Sequence, residues 1–165
     1  MIKTCTILVG VPAAGKSTWI SNQPLKDDTY IASTDRVIEE TAREYGMTYN
    51  EAFKDLIGFA ETVMWRHIDR AVLFGHDIVI DRTNMSRKSR AKFINYLKNK
   101  GYVFDVVVFD HPEDKTEWQR RLNSRPGKTI PENAIQSMLS SFQFPSHEEG
   151  FREITVINSF ETVEG

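Results

Sequence analysis

Short apolar runs alternate with longer amphipathic stretches along the whole chain. The apolar runs fall at residues 3–9, 30–33, 78–80, 104–109 and 154–157, and the all-apolar ones are typical of strands covered on both faces. Apolar residues between these runs recur at helical spacing. The alternation predicts an α/β fold in three layers, with a five-stranded parallel sheet joined by right-handed crossovers.

The stretches between the strands carry the start and stop signals of helices. Thr48 and Glu51 form a capping-box pattern before a long apolar periodicity that ends at Gly75, and Ser86 precedes a basic helix that ends at Gly101. The predicted helices cover about residues 15–22, 36–45, 48–75, 86–101, 112–123 and 131–141. With no repeat or linker in the sequence, we expect one domain over residues 1–165.

A glycine-rich segment follows the first apolar run directly. Residues 10–17 read Gly-Val-Pro-Ala-Ala-Gly-Lys-Ser, which matches the spacing of a loop that wraps around a nucleoside polyphosphate. In such a loop backbone N–H groups point inward, Lys16 reaches the β- and γ-phosphates, and the Ser17 hydroxyl holds Mg²⁺. The pattern predicts that the phosphates of ATP or GTP are bound by Gly10, Ala13, Ala14, Gly15, Lys16, Ser17 and Thr18.

Polar residues also follow the other predicted strands. Asp35 comes after the second strand, residues 81–84 after the third, and residues 110–111 after the fourth. Ligands of parallel sheets bind beyond the carboxyl ends of the strands. We therefore expect these residues and the glycine-rich loop to share one site.

Two aspartates are candidates for chemistry at this site. Asp35 is placed to orient an acceptor hydroxyl and take its proton, although an aspartate before a helix also acts as a cap, and the two roles are compatible. Asp81 is placed to hold the hydration shell of Mg²⁺ or to brace an arginine, and its alternative is a turn residue with Thr83 and Asn84.

Arg121 and Arg125 are four residues apart, which places them on one face of a helix. Residues 126–128, Pro-Gly-Lys, follow as a natural hinge. Arginine side chains stabilise the charge that spreads over a phosphoryl group in transfer, so the pattern favours a basic lid over about residues 115–130. A surface helix with ordinary arginines is the alternative.

Charge is unevenly distributed in a chain whose net charge is −2. Residues 82–100 contain seven Lys or Arg and no acidic residue, and residues 115–128 contain five against one Glu. The whole molecule is therefore not a basic nucleic-acid binder, but the distribution suits an anionic substrate on one side. A solvated helix face is the alternative for the first segment.

The single cysteine, Cys5, lies in the first predicted strand and is typical of a core residue in a reducing compartment. No apolar stretch approaches the roughly 20 residues that span a membrane. The four histidines show no metal-ligand spacing. We therefore expect a cytoplasmic protein that has no structural metal site and does not bind membranes.

The ordered set of motifs resembles the P-loop 5′-polynucleotide kinases, in particular the kinase domain of phage and bacterial end-healing enzymes. The residues that carry the resemblance are Gly10 to Ser17, Ser33-Thr34-Asp35, Asp81-Arg82-Thr83-Asn84, Arg121 and Arg125 before Ile130-Pro131, and Phe142-x-x-Pro145 with Glu149-Gly150-Phe151. Several tRNA-directed and small-molecule kinases share most of this set.

The resemblance implies an adenylate-kinase-like fold and transfer of the ATP γ-phosphate to the 5′-hydroxyl of a DNA or RNA end. By position it assigns the phosphate-loop roles to Lys16 and Ser17, the general-base role to Asp35, and the lid roles to Arg121 and Arg125. ATP and Mg²⁺ are the cofactors that it implies, and nucleic-acid 5′ ends are the implied partners.

The acceptor side departs from the family pattern at one position. Family members often carry an arginine three residues after the catalytic aspartate, where this chain has Ile38. Arg36 or the basic segment that starts at Arg82 is the expected replacement. The residues expected to bind the acceptor are Arg36, Asp81, Arg82, Thr83, Asn84, Arg87 and Arg90.

Two other functions fit the same motifs. A kinase for a small metabolite or nucleoside uses the same phosphate machinery and agrees with the acidic overall charge. A nucleotide-dependent switch binds ATP, hydrolyses it slowly and needs a partner. Loss of transfer on replacing Asp35 distinguishes a kinase from a switch.

Overall fold

The computed structural model describes residues 2–110, 115–125 and 127–158. Five strands form one parallel sheet, as the sequence predicted, and their order in the sheet is β2-β3-β1-β4-β5. The strands are β1 (Lys3–Val9), β2 (Tyr30–Ala32), β3 (Ile78–Ile80), β4 (Tyr102–Phe109) and β5 (Phe151–Ile157). The helices are α1 (Lys16–Asn22), α2 (Thr34–Glu44), α3 (Tyr49–Phe74), α4 (Arg87–Leu97), α5 (Lys115–Asn123) and α6 (Glu132–Ser141), and a 3₁₀ turn covers His147–Glu149.

The sheet has its switch point at β1. Cys5 of β1 lies beside Ile78 of β3 on one side and Phe104 of β4 on the other. The chain first builds β2 and β3 on one side of β1 and then crosses to β4 and β5. This connectivity opens a crevice at the carboxyl end of β1, which is where open α/β sheets bind ligands.

The main core lies on both faces of the sheet. All three residues of β3 are buried, as expected for a strand covered on both faces. Cys5 has no exposed surface, which confirms it as a core residue, and burial raises the pKa of its thiol. Among the described residues, no helix is long and apolar enough to cross a membrane.

A second, smaller core joins α2 to α3. Its buried residues are Ile38, Ala42, Ala52 and Ala60. Three alanines allow the two helices to approach closely, and Tyr49 at the start of α3 packs against this cluster. The second core therefore fixes α2, which carries Asp35, against the first turn of α3.

The start of α2 differs from the prediction. The backbone of Ser33 is extended, and its hydroxyl accepts a hydrogen bond from the Arg36 amide at 3.3 Å, so Ser33 is the N-cap and the helix begins at Thr34. Asp35 lies in the first turn rather than at the cap. The capping box of Thr48 with Glu51 is confirmed at the start of α3.

Two strands begin earlier than predicted. β4 starts at Tyr102, whose hydroxyl donates a hydrogen bond to the carbonyl of His76. β5 starts at Phe151, before the charged residue Arg152 that broke the apolar pattern. Arg152 makes a two-pronged ion pair with Asp105 of β4, so its charge is compensated on the exposed face of an edge strand. The predicted helix from residue 112 is observed from Lys115, and residues 111–114 lie outside the described part.

Candidate active site

The glycine-rich loop connects β1 to α1 through two left-handed residues. Ala13 has φ 63° and Gly15, the N-cap of α1, has φ 101°. The Lys16 ammonium donates hydrogen bonds to the carbonyls of Gly10 at 2.6 Å and Val11 at 3.2 Å. The loop therefore curls around its own lysine, which is the arrangement a polyphosphate-binding loop needs.

The members of the predicted loop set differ in exposure. Ser17 and Thr18 are exposed at the start of α1, whereas Ala14 is buried in the main core. A Cβ on Gly10 would lie 3.0 Å from the Cβ of Phe109, so this glycine allows close packing beneath the loop. Gly10 and Ala14 pack beneath the loop. The loop residues that are open to a ligand are Ala13 and residues 15–18.

Lys16 lies in a mixed electrostatic environment. Burial lowers the pKa of its ammonium to about 8, while the nearby carboxylates of Asp81 and Asp35 favour the charged form. Arg125 and Lys128 are close enough to oppose it. The lysine is thus the centre of a cluster in which the predicted donor and acceptor residues meet.

A cleft of about 950 Å³ opens beyond the carboxyl ends of the strands. Pockets of 300–1,000 Å³ are typical of small-molecule sites, so the cleft lies near the upper end of that range. The predicted site residues that line it are Ala13, Gly15, Lys16, Ser17, Thr18, Asp35, Arg36, Asp81, Arg82, Thr83, Arg121 and Arg125. The other predicted residues (Gly10, Ala14, Asn84, Arg87 and Arg90) do not line it.

Asp35 projects into this cleft from the first turn of α2. Its side chain is 53% exposed. The Tyr49 hydroxyl donates a hydrogen bond to its Oδ1 at 2.6 Å, and the Lys128 ammonium lies 3.4 Å from Oδ2. The carboxylate is therefore both accessible and held, as a residue that orients an acceptor must be.

Asp81 lies deeper, at the end of β3. Its amide donates to the Ala32 carbonyl at 2.8 Å, which ties the ends of β2 and β3 together. Burial raises the pKa of its carboxyl, and the charges of Lys16 and Arg36 oppose that rise. The Asp81 carboxylate and the exposed Ser17 hydroxyl line the same cleft, and both are oxygen donors of the kind that Mg²⁺ prefers. Among the described residues, no three His, Cys, Asp or Glu side chains cluster as a metal site of their own.

Helix α5, which carries Arg121, is anchored to the glycine-rich loop. The expectation that Arg121 and Arg125 share one helix face is corrected, because α5 ends at Asn123 and Arg125 lies beyond it. Trp118 of α5 is 5% exposed, and its indole N–H donates to the Pro12 carbonyl at 2.7 Å. Arg121 lines the cleft and its Nε donates to Glu117 at 3.1 Å. On Arg125, Nε and Nη2 are buried and have no hydrogen-bond partner among the described residues. Buried N–H groups in native proteins are normally paired, so these two are placed for an anionic ligand.

Residues 82–84 divide between the cleft and the core. Arg82 lines the cleft and pairs with Glu61 of α3 at 2.9 Å. Thr83 lines the cleft, and its carbonyl accepts a hydrogen bond from Gly10. Asn84 is 3% exposed, has φ 50°, and donates to the Leu8 carbonyl at 2.7 Å. The expectation that Asn84 contacts an acceptor is corrected, because its side chain is used to join the segment to β1.

The expectation that Arg90 binds the acceptor is also corrected. Its side chain is fully buried and makes a two-pronged ion pair with Glu149, at 2.8 and 3.1 Å. The same guanidinium donates to the carbonyls of Asn84, Met85 and Gln143. Every one of these partners belongs to the protein, so Arg90 is a structural residue in this arrangement and not an acceptor contact.

The predicted basic surface of residues 82–100 is only partly available to the cleft. Arg87 is exposed but lines a separate, smaller cavity with Lys88. Lys92 lies over the Phe93 ring. Within the described residues, Arg82 is the basic side chain of this segment that lines the cleft. Arg36 and Arg43 of α2 also line the cleft.

Sequence reasoning missed three residues of the site. Tyr49 and Lys128 contact Asp35, and Trp118 anchors α5 to the glycine-rich loop. Tyr49 lies one position into a recognised helix start and Lys128 follows the proposed hinge, so only their distance in space reveals the contact. Ile38 is fully buried in the second core, so the family's arginine position points away from the cleft here.

Solved structures with the same fold include two proteins named as kinases and one chain of an RNA repair complex. A protein named as a kinase from Chloroflexus aurantiacus matches with a TM-score of 0.65 and 13% identity, over 96% of this chain and 89% of its own. The Pnkp1/Rnl/Hen1 RNA repair complex matches with a TM-score of 0.63 and 22% identity, over 85% of this chain and 44% of that chain. A sugar kinase from Janibacter sp. HTCC2649 matches with a TM-score of 0.59 and 16% identity, over 97% of this chain and 87% of its own.

These matches share the α/β fold of P-loop kinases, with its parallel sheet and flanking helices. A family profile described as an AAA domain matches residues 6–145, which include the glycine-rich loop, Asp35, Arg121 and Arg125. The chain therefore belongs to this AAA domain family, and its fold is that of the P-loop kinases.

Proposed function

We propose that the protein is an ATP-dependent kinase that phosphorylates the 5′-hydroxyl of a DNA or RNA end. One observation carries the proposal: Asp35 and Arg125 flank the buried Lys16 in a single cleft, with two N–H groups of Arg125 unpartnered among the described residues. The proposal assigns the carboxylate to the acceptor side and the guanidinium to the donor side, where it would bind anionic phosphates.

The transfer then divides among the residues of the cleft. The acceptor oxygen forms a bond to the γ-phosphorus, the bond to the bridging oxygen of ADP breaks, and the acceptor proton passes to Asp35. Lys16 and Arg125 stabilise the charge on the phosphoryl oxygens, and Arg121, which lines the same cleft from α5, adds to this. Ser17 and Asp81 are the residues that would hold Mg²⁺, which would neutralise part of the polyphosphate charge.

On the acceptor side, two arginines of α2 favour a polyanionic substrate. Arg36 and Arg43 are exposed, line the cleft and lie about two helical turns apart. Two arginines on one edge are suited to the phosphates that follow a 5′ end. A chain of an RNA repair complex is among the structures with the same fold, which supports the proposal of a nucleic-acid acceptor.

A small-metabolite kinase is the second candidate. Glu39 and Glu40 line the same edge of the cleft between the two arginines. Carboxylates there are suited to hydroxyl groups of a neutral or cationic acceptor and unfavourable to a polyanion. A sugar kinase is among the structures with the same fold.

Salt dependence of acceptor binding separates the two candidates. With labelled ATP, Mg²⁺ and 5′-hydroxyl oligonucleotides, we expect label at the 5′ end and a KM for the oligonucleotide that rises steeply with salt. Arg36→Gln and Arg43→Gln should each lower the slope of log K against log salt by about 0.7. Arg87→Gln and Lys88→Gln, which face the other cavity, are the matched controls. Transfer to nucleosides or sugars but to no oligonucleotide would favour the second candidate.

A further inference from the structure

Both oxygens of the Asp35 carboxylate are contacted by residues from other segments. The Tyr49 hydroxyl donates to Oδ1 at 2.6 Å, and the Lys128 ammonium lies 3.4 Å from Oδ2. Tyr49 is the first residue of α3, and Lys128 follows α5. Three segments that are distant in sequence therefore meet at one carboxylate.

The lysine itself is held from several directions. Its ammonium donates to Glu39 at 2.7 Å and lies 4.3 Å from the centre of the Tyr49 ring. Only 14% of its side chain is exposed. Burying a lysine to this extent is costly unless the charge is paired, and here two carboxylates and a ring face it. The position of Lys128 is thus defined, unlike that of a surface lysine.

The backbone around Lys128 is fixed as well. The Asn50 amide donates to the Gly127 carbonyl at 3.1 Å, and the Asn50 side chain bonds to Thr129 on both its oxygen and its nitrogen. A Cβ on Gly127 would lie 2.8 Å from the Cβ of Thr48, so the glycine allows this contact. Residues 127–129 therefore lie directly against the start of α3.

The tyrosine acts as a hydrogen-bond donor. Burial and the neighbouring Asp35 carboxylate raise the pKa of the Tyr49 hydroxyl, so it keeps its proton at neutral pH. A neutral phenol that donates to a carboxylate fixes the direction of the remaining lone pairs. A base that is out of line by 1 Å can cost about 100-fold in rate, so this orientation has a kinetic consequence.

We propose that Tyr49 and Lys128 are positioning residues that together orient the Asp35 carboxylate toward the acceptor. Lys128 belongs to the segment that carries Arg121 and Arg125, so the same segment that faces the donor phosphates also sets the acceptor-side carboxylate. The inference rests on the proposed function, because it requires Asp35 to act on the acceptor hydroxyl.

The test is a double-substitution cycle on the full chain, measured as single-turnover transfer with a 5′-hydroxyl oligonucleotide and, in parallel, as nucleotide affinity. Tyr49→Phe should slow transfer about 10- to 100-fold while nucleotide affinity stays unchanged. In the Asp35→Asn background the same substitution should have less than about a twofold effect, because the residue acts through the carboxylate. Tyr45→Phe, which removes a hydroxyl from a side chain that is 71% exposed, is the matched control.

Lysine variants complete the design. Lys128→Met should slow transfer, and Lys128→Arg should restore much of it because a cation is kept beside Asp35. Equal losses for Tyr49→Phe in both backgrounds, a wild-type rate for Tyr49→Phe, or faster transfer by Lys128→Met would overturn the inference. The last result would mean that Lys128 blocks the carboxylate.

The cycle also separates this inference from the proposed function. If Asp35→Asn alone transfers at the wild-type rate, the general-base role fails and the positioning role fails with it. If Asp35→Asn is slow but Tyr49→Phe and Lys128→Met are not, only the positioning role fails. Unfolding curves for each variant ensure that the rates refer to folded protein.

Discussion

Single residues of the donor side show what the cleft is built to bind. Lys16 bonds to the carbonyls of its own loop, and Arg125 keeps two buried N–H groups without a partner in the described part of the chain. Both are cations whose present contacts are weaker than those a polyphosphate offers. These two cations are therefore the residues with which the proposed function binds the donor phosphates.

Replacing Arg125 tests the role of its guanidinium. Arg125→Lys keeps the charge but loses the fork, and we expect transfer to fall about 10²- to 10³-fold, as for loss of one donor to a developing oxyanion. Single-turnover transfer at saturating ATP measures the loss. Arg120→Gln is the control, since that side chain lies in the preceding helix α5, is 70% exposed and pairs with Glu117. A loss of less than threefold for Arg125→Lys would contradict the role.

The environment of Lys16 predicts a pH dependence of nucleotide binding. Burial lowers its pKa to about 8, below the usual value near 10.5, so the free protein loses this charge as pH rises through 8. Nucleotide phosphates favour the charged form, so binding should weaken between pH 7 and 9 and be accompanied by proton uptake. Calorimetry in buffers of different ionisation enthalpy measures both.

The control for the pH dependence removes the titrating group. Lys16→Met should bind nucleotide more weakly at every pH, and its affinity should no longer fall between pH 7 and 9. If the pH dependence of Lys16→Met matches that of the wild type, the titrating group lies elsewhere.

At the scale of elements, the proposed lid is fixed at two points. Trp118 joins α5 to the glycine-rich loop, and residues 127–129 lie against the start of α3. The hinge predicted at residues 126–128 therefore contains two anchored residues, Gly127 and Lys128, while Pro126 lies outside the described residues. Motion that closes the cleft has to occur between these two points or carry both of them.

Gly127 tests the second anchor. Its φ of 68° and the 2.8 Å distance from a Cβ to Thr48 make any side chain strained, so Gly127→Ala should release the segment from α3. We expect slower transfer and a free energy of unfolding lower by about 1–2 kcal/mol, measured by urea denaturation. Gly58→Ala, in open space within α3, should instead raise stability by about 0.5–1 kcal/mol.

A comparison of the predicted with the observed elements shows which features the sequence could predict and which it could not. The order of strands and helices, the capping box at Thr48 and the burial of Cys5 followed from local signals. Asn84 and Arg90 were misplaced because a polar residue after a strand has the same local pattern whether it faces a ligand or a buried carboxylate. Only the distance between Arg90 and Glu149, which are 59 residues apart, decides between the two.

At the scale of the whole molecule, the buried Arg90 side chain connects distant parts of the chain. It holds Glu149 and the Gln143 carbonyl to the segment after β3. The closing motif of residues 142–151, noted in the sequence as a family signature, thus includes the partners of a buried arginine. Its role in this protein is to attach the C-terminal strand region to the rest of the fold.

Loss of these Arg90 contacts should have a large effect on the free energy of unfolding. Arg90→Met leaves Glu149 buried without its partner, and we expect the free energy of unfolding to fall by about 3–5 kcal/mol. Arg87→Met, one turn earlier and exposed, should change it by less than about 0.5 kcal/mol. Urea denaturation of both variants measures the difference. A loss below 1 kcal/mol for Arg90→Met would argue against a buried structural ion pair.

The most direct test of the central claim is single-turnover transfer from labelled ATP to 5′-hydroxyl oligonucleotides by the wild type and Asp35→Asn. We predict label at the 5′ end of DNA or RNA by the wild type. Asp35→Asn should be about 10²- to 10⁴-fold slower, with its affinity for nucleotide nearly unchanged. Absence of transfer to any oligonucleotide, or an equal rate for Asp35→Asn, would contradict the account.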